Sequence, residues 1–340
     1  MPAPRGPLSA ALVDVLAGRL APGALPADVA AGPYGEDLQL ALYLCYELHY
    51  RSFPGVDDEI EWDPDVLRFR RALERPFLAA LRADVPGGRD VDQAIAELLV
   101  EPVEPVGNGP VGGGPSHFLL RHGQRWQLQE YVAHRSLYHL KEADPQAWVI
   151  PRLDGPAKSA FVMVEHDEYG AGHGERMHAR LFADMMVALD LDPTYGRYLD
   201  VAPAETLATV NAMSLFGLHR SLRGALVGQF ASVEICSSPG AARLARAVRR
   251  LNGDDPAGWT FYDEHVEADA VHEQVVRRGV VTALLEAEPE LAADVVFGIQ
   301  VDGFLEARLG RRLVGAWAAG QSSLLAPGLD RSRWLVSQNG

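Results

Sequence analysis

Tyr262–Gln274 reads Tyr-Asp-Glu-His-Val-Glu-Ala-Asp-Ala-Val-His-Glu-Gln. Inside it His265, Asp269 and His272 stand at i, i+4 and i+7. At about 100° per residue, these positions fall within roughly 60° of one another on a helix. Two imidazoles and a carboxylate on one face make either a metal-binding hand or a histidine-rich solvent face. One helix leaves both readings open, so the question is whether other helices bring matching ligands.

Outward from this stretch the chain is predicted to be all-α. Apolar residues recur at helical spacing over residues 35–50 (Leu38, Leu40, Ala41, Leu44, Cys45, Leu48) and 64–81 (Val66, Leu67, Phe69, Leu73, Phe77, Leu81). A short helix is expected over 8–20, and Asp90 is placed to cap one over 91–100. One long helix is expected over 117–143, ending before Asp144-Pro145. Further helices are expected over 156–169, 175–189, 204–216, 221–236, 241–251, 259–287 and 291–313, with an interruption near Gly279. Residues 169–174 hold three glycines, so either the helix breaks there or something packs very close.

Glu101–Ser116 is too rich in Pro and Gly for a helix and reads as a linker. It divides an N-terminal helical region (1–104), expected to wrap the bundle, from the linker (105–115) and a metal-binding domain (116–325). A tail (326–340) follows, and the chain from Gly320 onward reads as loose.

The formal net charge is −15, from 46 acidic against 31 Lys and Arg residues, which argues against a nucleic-acid partner. No run of about 18 apolar residues reads as membrane-spanning, and the N-terminus lacks a signal-peptide core. Cys45 and Cys236 make no disulfide framework, so a reducing cytoplasm is the expected compartment.

Five further residues could complete the metal hand. Glu175 and His178 have the Glu-x-x-His spacing of carboxylate-bridged di-iron bundles, and Glu168 lies two helical turns before Glu175. Glu142 sits near a predicted helix C-terminus, where a negative charge is locally unfavourable by a few tenths to about 1 kcal/mol. Glu234 interrupts an otherwise apolar helix, where an acid is rarely buried without a partner. It reads as a ligand or a ligand's neighbour. Each motif alone is more often a solvated face. Together they offer only oxygen and imidazole donors, which suit iron or manganese. A catalytic zinc needs about three protein ligands, whereas seven or eight candidates fit two ions sharing carboxylates. His166 and His173 read as surface or neighbouring groups.

Glu142 before Asp-Pro, Glu168-Tyr-Gly leading to Glu175-Arg-Met-His178, and His265-x-x-x-Asp269-x-x-His272 together resemble the haem-oxygenase-like iron-containing redox enzymes. The resemblance is strong over residues 124–274. It implies a haem-oxygenase-like helical bundle with additional N-terminal helices and a non-haem di-iron centre that activates O2. By that likeness Glu142, Glu168, His178, His265, Asp269 and His272 are metal ligands, with Glu175 a ligand or a shifting carboxylate, and Glu234 a less certain addition. The cofactors implied are two Fe(II) ions, or manganese, with O2 as co-substrate. Members of the family include amine N-oxygenases, alkene-forming fatty-acid decarboxylases and amino-acid fragmenting oxidases. A small-molecule substrate and an electron donor are the expected partners, and a homodimer stays open. Two alternatives remain: a metal-independent thiaminase-like hydrolase using Cys236, and a helical binding protein with a vestigial site.

Overall fold

The computed structural model describes residues 1–99 and 113–325, with only the backbone for residues 267–271. The described chain is all-helical and contains no β-strand, in keeping with a haem-oxygenase-like fold. Most of the predicted linker, and the tail from 326, lie outside the described residues.

Two long helices packed side by side in the same direction form the spine, Arg223–Asn252 and Ala292–Ala318. Their contact is close because both faces carry glycine. A Cβ on Gly228 would overlap the Val295 carbonyl, and one on Gly298 would overlap the Ala225 carbonyl. The first of these helices was expected as two pieces separated by Ser238-Pro239-Gly240. It runs through, with Pro239 inside. Pro in a helix interior costs about 3 kcal/mol. Buried Phe230 and Ile235 before it, and Leu244, Ala245 and Val248 after it, hold both halves in one line against the core.

The expected long helix over 117–143 is instead two, Gly114–Arg121 and Arg125–His139. The chain turns at Gly123, where a Cβ would strike the Leu119 backbone. The second piece starts with a reciprocal cap between Gln124 and Gln127. The expected 259–287 helix is continuous in direction but widens into π turns over Val275–Thr282. Gly279 lies there against Ala160 of the helix Gly155–Glu168. Such π turns are frequent at functional sites.

The N-terminal helices share one core with the bundle. Leu38, Leu42 and Phe77 pack in the same apolar cluster as Leu207, Phe216 and Val295. Asn211 donates to the Gln39 carbonyl and side chain across that contact. The deeply buried Lys141 reaches back to Glu47 at 2.8 Å and lies over the Tyr50 ring. The segment from Gly320 is held rather than loose as far as Leu325. Ser323 donates its N–H and hydroxyl to Glu130, and the Leu325 N–H bonds the Val201 carbonyl.

His134 sits in that anchor, buried between Thr206 Oγ1 at 2.7 Å and Ser323 Oγ at 3.0 Å. Burial, then the charges of Arg312 and Arg135, push its pKa from 6.5 down to about 3. The folded protein therefore keeps it neutral where the unfolded chain binds a proton. Its contribution is present above pH 6.5 and is lost as pH falls toward 3. Each pH unit within that window costs up to about 1.4 kcal/mol. His134→Gln is expected to flatten urea-measured stability against pH by about one proton between pH 6.5 and 5. An unchanged slope would contradict the assignment.

Candidate metal centre

The site lies where the helices Arg125–His139, Gly155–Glu168, His178–Ala188, Arg223–Asn252 and Thr260–Gln274 converge. Glu168 ends its helix. The following glycine turn reverses the chain and starts the next helix at His178. The reversal depends on Gly170, at φ +77°, whose missing side chain leaves room for the Met177 N–H. Both sequence-level options hold: the helix breaks, and the chain packs very close. The result is His178 Nδ1 at 2.6 Å from Glu168 Oε2.

Two groups of ligand atoms form around Glu168. Glu142, Glu168, His178 and His265 offer atoms all within 4.8 Å of one another, and so do Glu168, Glu234 and His272. The two groups share Glu168, and its two oxygens face different ways. Oε2 meets His178, while Oε1 lies 3.9 Å from His272 Nδ1. Glu234 Oε2 is 3.0 Å from the same His272 nitrogen. His265 Nδ1–H donates to the Phe261 carbonyl at 2.7 Å, which leaves Nε2 facing Glu142 Oε1 at 3.8 Å. Fixing one ring nitrogen on a carbonyl so that the other is presented as a donor is the usual support of a metal-binding histidine.

Glu175 does not join these groups. It sits on a short 3₁₀ turn before the helix, 77% exposed, near His173 at 3.6 Å. The expected i, i+3 face with His178 does not form, because Glu175 lies outside the helix that His178 begins. Asp269 lies on the same helix as His265 and His272, but its side chain falls outside the described residues. His166 and His173 are exposed.

Three residues at the site carried no motif in the sequence. Glu165, one turn before Glu168, is buried with neither oxygen hydrogen-bonded. Burial, then the charges of Glu168 and Glu234, hold its carboxyl well above the usual range. His139, one turn before Glu142, lies 2.9 Å from Glu142 Oε2. Asp167 meets His272 Nε2 at 3.2 Å. The i−3 spacing to Glu168 and Glu142 is the signal that would have found Glu165 and His139.

The electrostatics are those of a concentrated negative site. Burial alone would raise the pKa of Glu142, but His139 and then His265 outweigh it and hold the carboxyl well below the usual range. Burial likewise lowers that of His272, yet Glu234, then Asp167 and Glu168, push it up to about 9. Glu142 Oε2, His178 Nδ1 and both Glu165 oxygens are buried without a hydrogen-bonding partner of good geometry. Buried polar atoms turned toward one another, with few donors to satisfy them, fit a cation between them. The donor set is carboxylate and imidazole only, as iron requires in such bundles.

Beside the site lies a cavity of about 320 Å³. His265 and His139 form its metal-ward end, and Phe261, Tyr262 and Tyr138 its apolar walls. Of the aromatic and Met residues that the sequence left unsorted, Met213 and Phe261 line it, while Phe182, Met186, Phe216 and Phe230 belong to the core. Cys236 also faces the cavity, with Sγ 3.7 Å from the Leu98 carbonyl.

A helical bundle closing on a cluster of carboxylates and histidines that could hold a metal ion is the arrangement of a helical metal-binding protein. The chain belongs to the family of iron-containing redox enzymes, whose sequence profile matches residues 129–302. It is also similar to nitrosourea synthase of Streptomyces achromogenes subsp. streptozoticus, with 26% identity over 162 residues, 47% of this chain. That stretch spans 34% of the relative's length. No helix among the described residues is long and apolar enough to cross a membrane.

Proposed function

We propose that this chain is an O2-dependent non-haem di-iron oxidase or oxygenase of a small organic substrate. One observation carries the reading: Glu168 turns its two oxygens toward histidines of two different ligand groups. A carboxylate so placed is suited to bridge two ions. Glu142, His178 and His265 would hold one, and Glu234 and His272 the other, with Asp269 added from its spacing in the sequence. Two Fe(II) ions would supply the electrons that reduce O2. The chain's own groups do the rest. Phe182 and Phe261 pack on the His139, His178 and His265 rings and keep water from that side. The cavity ending at His265 orients the substrate against the centre. Relationship to a protein named for nitrosourea synthesis supports oxidative chemistry, though over only a third of that protein.

The test is anaerobic titration with Fe(II), followed by exposure to O2 with absorbance and O2 uptake recorded. Two bound iron ions per chain and iron-dependent O2 consumption are expected. Absence of iron binding together with absence of iron-dependent O2 uptake would overturn the reading. Activity that survives a chelator and vanishes in Cys236→Ala would favour the hydrolase instead. In the same titration Glu175→Ala should bind as much iron as the unaltered protein, because its carboxylate is in solvent. Loss of an ion in that variant would show that the turn refolds onto the metal.

A further inference from the structure

The lining of the same cavity also holds three charged side chains: Arg135, Asp302 and Glu306. Arg135 and Glu306 are committed to each other. The two terminal guanidinium nitrogens of Arg135 each donate to one oxygen of Glu306, at 2.7 and 2.5 Å. Among the described residues, the hydrogen bonds to Asp302 come from neutral donors, Ser232 Oγ at 2.7 Å and Gln229 Nε2 at 3.2 Å. The lining therefore carries one carboxylate more than it has guanidinium to match. A charge in a site this enclosed is costly unless an opposite charge meets it. Two neutral hydrogen bonds do not replace a counter-ion. Burial, then the neighbouring charge of Glu306, push the Asp302 carboxyl up to about 7, against the smaller opposing pull of Ser232, Gln229 and the more distant Arg135 charge. The rest of the lining is largely apolar: Met213, Val233, Ala241, Leu244 and Phe261.

We infer that Asp302 is the counter-ion for a positively charged group of the substrate, so the cavity selects an organic cation, an ammonium or a guanidinium. The inference builds on the proposed function only in taking this cavity as the substrate's. Bound there, the cation meets Asp302 at one end, and its carbon skeleton lies along Phe261 toward His265. Asp302 is thus a specificity-determining residue. It takes no part in the oxidation.

The experiment uses the full chain without added iron and four probes of one carbon skeleton: n-hexylammonium, n-hexylguanidinium, hexan-1-ol and hexanoate. Binding is read as the rise in melting temperature and as heat of titration. At least one of the two cations should bind about tenfold or more tightly than the alcohol and hexanoate, a difference of about 1.4 kcal/mol. Which cation binds better distinguishes an ammonium from a guanidinium site. Asp302→Asn keeps the side chain's shape and should remove the preference. Ser232→Ala removes a hydrogen bond but leaves the charge, and should keep it. The double variant Asp302→Asn with Glu306→Gln frees Arg135 and should turn the preference toward hexanoate, a reversal that a merely structural role would not produce. The inference is overturned if neither cation outcompetes the alcohol and hexanoate, or if Asp302→Asn leaves the preference intact. Because no step needs iron or O2, a failure here is separable from a failure of the di-iron reading.

Discussion

Glu168→Ala should abolish binding of both iron ions, whereas Glu234→Ala should abolish only one. The contrast follows from where the two side chains stand. Glu168 supplies an atom to both ligand groups, while Glu234 belongs to one. Without Glu168 the first group keeps Glu142, His178 and His265, but its shared carboxylate is gone. The second keeps Glu234 and His272, with Asp269 as proposed, and likewise loses the carboxylate it shares. Loss of an outer partner of a metal ligand already costs about 10–100-fold in affinity, so loss of a bridging ligand should cost more than about 100-fold. Equilibrium dialysis against Fe(II) without oxygen, with metal analysis of the protein, gives the count. Circular dichroism confirms that each variant folds. Two ions retained in Glu168→Ala, or none in Glu234→Ala, would mean that the site is built differently.

The second large effect concerns the spine. Gly298→Ala should destabilise the protein by about 3–5 kcal/mol, beyond the usual 1–3 kcal/mol of overpacking. The usual figure assumes that side chains can shift. Here the added methyl would meet the Ala225 carbonyl, a backbone atom on the facing helix, so the two helices must part. Parting them also moves Glu234 on one helix and Asp302 on the other, so iron content and cation binding should fall together. Gly303 is the control. It lies on the same helix with nothing near its missing side chain, and Gly303→Ala should leave stability unchanged or slightly raised. Urea midpoints of the two variants measure the difference. Equal midpoints would show that the spine tolerates separation.

The helical class was legible because it rests on local properties. The 3.6-residue recurrence of Leu, Val and Phe in Glu36–Glu47 and Pro64–Asp84 needs no partner to be seen, and the capping residue Asp90 acts within its own turn. The ligand types were legible for the same reason, since His265, Asp269 and His272 share a helix. The errors fall where distant contacts decide. Pro239 looked like a boundary, but burial on both sides carries the helix through it. Glu175 looked like the partner of His178, but the turn built on Gly170 starts the helix after it. Gly320–Leu325 looked loose, but Glu130 and Val201 tie it down.

Residue order alone therefore set the all-helical architecture, the absence of thiolate ligands, and a list of acids and imidazoles suited to iron. Tertiary packing decided that Glu168 stands between His178 and His272, that Glu165 and His139 join it, and that Glu175 does not. It also set an extra carboxylate, Asp302, in the lining of the cavity that His265 lines. The reason is one of range. Helical periodicity is written in neighbours three and four residues apart, whereas His265 and His272 meet Glu142 and Glu168 only because the fold brings together positions more than a hundred residues apart.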